Sequence, residues 1–161
     1  MVSARYSLCV IGDGSSKMYE SVLVATDGSE TAAEAARVAP ELAKTFGAAL
    51  HIASVYNARQ RGALRVPEMK MAIPEGIDPA SVAATQTEAL ASRARTQGVS
   101  AQTHVVSGNV AEQIVTVAEQ QHADLIVVGN KGMRGLKRVL GSVPNAVAHS
   151  ASCSVLIVNT T

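Results

Sequence analysis

Apolar and polar positions along the chain follow two alternating patterns. Short, nearly unbroken apolar runs occur at 21–25 (Ser-Val-Leu-Val-Ala), 49–56, 102–106, 124–128 (Asp-Leu-Ile-Val-Val) and 154–158. Runs of this length, rich in β-branched residues and bounded by turn formers, predict buried strands. Between them the apolar residues recur every three to four positions, the period of a helix with one face covered. Ala32, Ala35, Ala36, Ala39, Ala43 and Phe46 predict the first helix, with Gly47 as its C-terminal cap and a kink at Pro40. Asp78-Pro79 supplies an N-cap and first-turn pair for a second helix reaching about Gln97 and stopping at Gly98. Asn109 with Glu112 has the spacing of a capping box and opens a third helix through Val110, Ile114, Val117 and Ala118. A fourth helix is expected over 143–150, before the last strand.

Five strands separated by helical crossovers predict an α/β fold, a doubly wound and mostly parallel sheet covered by helices on both faces. Two stretches fall outside this pattern. Residues 57–77 contain Pro67 and Pro74 and sustain no period, which predicts a loop of a length usually reserved for function. Residues 1–17, with Gly12-Asp13-Gly14-Ser15-Ser16 leading to a second methionine at Met18, read as a flexible tail. That tail is either a native arm or upstream sequence from a start placed too early; the domain proper is assigned to 18–161.

Composition sharpens the picture of the core. Of 161 residues 47% are hydrophobic but only 2% aromatic, so the interior must be built from Ala, Val, Leu and Ile. The formal net charge of +1 leaves no global field for nucleic acid or an anionic membrane, and neither is expected as a partner. No run approaches the roughly 18 apolar residues of a membrane span. Cys9 and Cys153 have no metal or redox spacing, and with no secretory signal in view a cytoplasmic location is expected.

Ligands of doubly wound sheets bind outside the carboxyl ends of the strands, where the strand order reverses. Two segments fit that position. The first is Gly129-Asn130-Lys131-Gly132 after the fourth strand, with Gly141-Ser142 at the start of the last helix. Glycine lets backbone N–H groups approach phosphate oxygens, and a helix N-terminus adds free donors and a favourable dipole. The second is Ala25-Thr26-Asp27-Gly28-Ser29, whose carboxylate is suited to accept hydrogen bonds from ribose hydroxyls, or else to cap the first helix. Lys131, Arg134, Lys137 and Arg138 make the glycine loop basic. They read equally well as a clamp on a triphosphate or as a solvated face. His51, His104, His122 and His149 are scattered and read as surface or strand-edge residues rather than ligands. No residue has the setting of an activated nucleophile or general base, so catalysis beyond slow, incidental ATP hydrolysis is not expected.

From about Tyr19 to Val158 the chain resembles the universal stress protein domain. Three motifs carry the resemblance: Val-Leu-Val-Ala-Thr-Asp-Gly-Ser at 22–29, Ala-Asp-Leu-Ile-Val-Val-Gly-Asn-Lys-Gly at 123–132, and Leu-Gly-Ser-Val-Pro at 140–144 followed by Cys-Ser-Val-Leu-Ile-Val at 153–158. The resemblance implies a parallel sheet of strand order 3-2-1-4-5, a role in stress response or growth arrest, and homodimers paired through the last strand, Ser154–Val158. In one branch it implies ATP, with Mg²⁺ as counter-ion, held by a Gly-x-x-Gly, nine residues, Gly-Ser/Thr motif. Carried onto this chain, Ala25, Thr26 and Asp27 would lie near base and ribose and the Val55 backbone on the adenine edge. Gly129, Asn130, Gly132, Gly141, Ser142 and Val143 would surround phosphates and ribose. The chain departs from the motif at one point: eight residues, 133–140, separate Gly132 from Gly141. Two alternatives follow, a protein that binds or sequesters cyclic AMP and a dimerisation module without nucleotide. An adenylating enzyme is disfavoured, because its Ser-Gly-Gly-x-Asp-Ser loop is replaced here by Ala-Thr-Asp-Gly-Ser-Glu.

Overall fold

A computed structural model describes residues 18–28, 30–56, 78–130 and 142–159. They form, in order, β1 (Ser21–Ala25), α1 (Glu30–Phe46), β2 (Ala49–Tyr56), α2 (Pro79–Thr96), β3 (Ala101–Ser107), α3 (Val110–Gln120), β4 (Leu125–Gly129), α4 (Ser142–Ser150) and β5 (Ser154–Val158). All five strands pair in parallel, in the order β3-β2-β1-β4-β5. The expected strand order and fold class are therefore observed. The chain builds outward from β1 to β3, returns under the sheet through α3, and builds the other way from β4 to β5. Because parallel crossovers are right-handed, reversing direction moves the helices to the opposite face. α1 and α2 accordingly pack with one core cluster, centred on Val22, Val24, Leu50, Ile52 and Val127. Ile114 and Val117 of α3 and Val147 of α4 join the other, around Leu23, Ala53, Ile126 and Val128.

The near-absence of aromatic residues sets how these layers meet. Ala32, Ala35, Ala36, Ala39 and Ala43 of α1 are all buried, giving the helix a thin face that lies close on the sheet. Phe46, at its last turn, meets the Tyr19 ring edge-on at 5.1 Å between centroids and closes that end of the core. α1 contains Pro40 within its length. Gly47 and Gly98 adopt the left-handed φ of 63° and 83° expected of glycines that end α1 and α2. α3 carries no such glycine, and His122 takes the left-handed conformation (φ 49°) in its place.

Two strands differ in their bounds from those read from hydrophobicity. β4 runs over Leu125–Gly129 rather than 124–128, and Asp124, just before it, holds the start of β1 through both its backbone N–H, which donates to the Ser21 carbonyl at 2.8 Å, and its carboxylate. Its Oδ2 accepts from the backbone N–H of Glu20 at 2.8 Å and of Ser21 at 3.0 Å. β3 extends one residue further at each end, over Ala101–Ser107, since pairing with β2 continues past its apolar stretch. The expectations for residues 1–17 and for the loop at 57–77 lie outside the described residues.

Candidate functional site

The reversal of strand order leaves a crevice outside the carboxyl ends of β1 and β4. A cavity of about 310 Å³ opens there, within the lower range of small-molecule sites. Its floor is apolar, from Ala25, Ala53, Val55 and Val128, and Val110 and Ile114 of α3 wall one side. Polar groups converge on its rim: Thr26 and Asp27 at the end of β1, and Ser142 at the start of α4. This combination suits a ligand with a flat apolar part and a polar or anionic end.

Each polar group is placed by local chemistry. Thr26 continues the strand direction, donating its N–H to the Ala53 carbonyl at 2.9 Å, while its hydroxyl oxygen accepts from the Gly28 N–H at 3.2 Å. That short bridge and the positive φ of Gly28, 75°, turn the chain sharply and present Asp27, whose side chain is exposed, at the cavity mouth. A side chain at Gly28 would be strained by its φ and would also meet the Gln86 amide at 2.8 Å. At the opposite wall Ser142, Val143 and Pro144 form the first turn of α4. Pro144 has no N–H to contribute, but the first turn of a helix leaves its N–H groups without intrahelical partners in any case. The N–H groups of Ser142 and Val143 remain, with the positive end of the helix dipole, beside the cavity.

Of the residues selected from sequence, Ala25, Thr26, Asp27, Val55, Gly129, Ser142 and Val143 all line this cavity. α4 begins at Ser142, so the short spacing after Gly132 does not carry the start of that helix away from the site. Asn130 is buried at the end of β4. It is 2% exposed, its N–H donates to the Val158 carbonyl at 3.1 Å and its Nδ2 donates to Asn159 Oδ1 at 2.7 Å. It ties the end of β4 to the end of β5 and is not among the residues that line the cavity. Gly132 and Gly141 lie outside the described residues, as do Lys131, Arg134, Lys137 and Arg138.

Sequence reasoning missed Ala32, Ala53, Val110, Ile114, Val128 and Pro144 as lining residues. Their signal was present but read only as core periodicity: residues near the carboxyl end of a strand or the first turns of a helix serve core and site together. The histidines also differ from the scattered reading. His51 Nδ1 and His104 Nε2 are 3.0 Å apart across β2 and β3, His51 being buried. Burial lowers the pKa of each, and His104 adds a smaller lowering at His51. Cys153 is half-buried, and burial, reinforced by the charge of Asp124, raises its thiol pKa and keeps it protonated.

The comparisons with known proteins agree with this architecture. A model of the universal stress protein family matches residues 18–159. A 55-residue segment is 47% identical to Universal stress protein A homolog 1 of Coxiella burnetii, a match spanning 34% of this chain and 38% of that protein. A universal stress protein solved in complex with cAMP is 30% identical with a TM-score of 0.68, covering 89% of this chain and 98% of that one. A universal stress protein family member from Burkholderia pseudomallei superposes with a TM-score of 0.61 at 27% identity, covering 88% and 96%.

Proposed function

The chain belongs to the universal stress protein family, and from that premise we propose that it is a regulatory protein that binds an adenine nucleotide, ATP, and changes conformation or partner choice in stress or growth arrest. The observation that carries this reading is the cavity between β1, β4, α3 and α4, apolar where a base would lie and rimmed by Asp27, Ser142 and the first N–H groups of α4. In this arrangement the base packs on Val55, Ala53 and Ile114, Asp27 accepts from ribose hydroxyls, and the phosphates run toward Gly129, Ser142 and Val143. In sequence, Gly132, Gly141 and the basic run Lys131, Arg134, Lys137 and Arg138 lie between Gly129 and Ser142, a composition that favours a triphosphate with Mg²⁺.

Calorimetric titration with ATP and Mg²⁺ tests the proposal. Saturable one-site binding is expected, and folded protein that takes up no ATP at millimolar concentration overturns it. The dimerisation module without nucleotide then becomes the better reading.

A second reading is cyclic AMP, favoured by the likeness to the structure solved with cAMP. A cyclic phosphate carries a single charge and requires fewer donors than a triphosphate. Displacement of ATP by cyclic AMP at far lower concentration would select it. For both readings we infer a cytoplasmic homodimer paired through β5. Beyond its pairing with β4, β5 presents Leu156, 36% exposed, at the end of the sheet.

A further inference from the structure

α2 supplies no residue to the lining of the 310 Å³ cavity, yet one of its side chains, Gln86, reaches the turn that presents Asp27. Measured from where a Cβ of residue 28 would sit, Gln86 Oε1 is 2.8 Å away, Nε2 2.9 Å and Cδ 3.1 Å. Three nearly equal distances mean that the flat face of the carboxamide, rather than one end of it, covers Gly28. Glycine has no Cβ, so that face rests over its Cα at van der Waals range. We propose that Gln86 is a positioning residue of the adenine-nucleotide site. By covering Gly28 it keeps the turn in the conformation that directs Asp27 at the ribose, and so sets how strongly the site distinguishes ribonucleotides from nucleotides lacking the ribose hydroxyls. The inference rests on the nucleotide reading given above.

The turn needs such a restraint. Glycine visits left- and right-handed backbone about equally, so its own chemistry does not fix the φ of 75° found at Gly28. Thr26, two residues earlier, is buried and tied to β2 through the Ala53 carbonyl. Beyond it the Gly28 N–H donates to Thr26 Oγ1 at 3.2 Å, the long end of the usual range, on an exposed residue where water competes for the same donor. Gln86 adds a contact from a second element. Its side chain is half-buried, and Ala83, Thr87, Ala91 and Ala94 on the same helix are buried, which makes α2 a fixed support.

The placement of Gln86 separates this role from ligand contact. Gln86 and Gly28 line one end of a second hollow, about 490 Å³, between α1 and α2. Thr26 borders both hollows. Gln86 thus acts on a ligand through the turn and not by touching it, and its amide, being neutral, leaves the charge beside Asp27 unchanged.

Calorimetric titration with ATP and with 2′,3′-dideoxy-ATP, which lacks both ribose hydroxyls, tests the proposal. Alanine is the best helix former, so Gln86→Ala should fold as the native chain does. It is expected to weaken ATP binding about three- to tenfold and leave dideoxy-ATP binding unaltered, so that the ratio of the two affinities falls. Gln86→Met, which keeps the length of the side chain without its amide, should restore the ratio. Gln97→Ala, about three turns further along the same face, should not change it. An unaltered ratio in Gln86→Ala, an equal loss for both ligands, or a native chain that binds ATP without discrimination overturns the inference. Failure of the native chain to bind ATP overturns the nucleotide reading instead, and the contact itself is then tested without ligand. Amide hydrogen exchange at Gly28, followed by nuclear magnetic resonance, should be several-fold faster in Gln86→Ala than in the native chain or in Gln86→Met. Equal rates in all three show that Gln86 does not hold the turn.

Discussion

Asn130 Nδ2 donates to Asn159 Oδ1 across 2.7 Å, joining the carboxyl end of a central strand to that of the edge strand β5. The preceding residue, Gly129, lines the candidate site and is the β-ladder partner of Val158. The wall of the cavity and the end of the edge strand are therefore one hydrogen-bonded unit. Asn130→Ala should destabilise the fold by about 1–3 kcal/mol through a lost buried hydrogen bond and the gap it leaves. Asn159→Ala, at an exposed partner, should cost less. A double-mutant cycle by urea denaturation should return a coupling of at least about 0.5 kcal/mol, and additive effects would mean that the two side chains do not act together.

Asp27 is exposed at the cavity mouth, so its larger contribution should appear in binding. Asp27→Ala is expected to change the melting temperature little while weakening ribonucleotide binding about tenfold or more, the scale of a hydrogen bond to a charged acceptor. The same variant should lose discrimination against the ligand lacking a ribose hydroxyl, measured by parallel calorimetric titrations.

The histidine pair predicts an acid-labile fold. Both folded-state pKa values lie below the ordinary histidine value of 6.5. As pH falls below that value the unfolded chain takes up protons that the folded chain refuses, so stability declines as pH falls from 6.5 toward the folded pKa values and is independent of these groups above 6.5. Chemical denaturation between pH 8 and 5 should show this slope, and His104→Gln should flatten it.

His122 ends α3 in a left-handed conformation that glycine adopts at less cost. His122→Gly should raise stability by about 0.5–1 kcal/mol, visible as a higher denaturation midpoint with an unchanged slope.

Leu156 on β5 is among the most exposed large hydrophobic residues described. Leu156→Asp should convert the inferred dimer to monomer in analytical ultracentrifugation at micromolar concentration while the circular dichroism spectrum remains that of the native fold. A dimer that persists places the interface elsewhere.

The alternation of elements, and hence the fold class, was legible because it depends on local properties. Apolar runs mark strands, three-to-four periodicity marks helices, and Gly47, Gly98 and Asp78-Pro79 mark their ends with residues whose backbone preferences require no partner. The site was legible in outline for the same reason: strand ends rich in glycine and short polar residues lie at the carboxyl edge of any doubly wound sheet. Tertiary structure alone decided which distant residues meet. His51 and His104 are 53 positions apart and face each other only because β2 and β3 pair in one particular register. The Asp124 carboxylate binds the N–H groups of Glu20 and Ser21, and the Asn130 side chain meets Asn159. Local propensity has no means of encoding these pairings, since each arises from strand register and crossover handedness acting over the whole sheet.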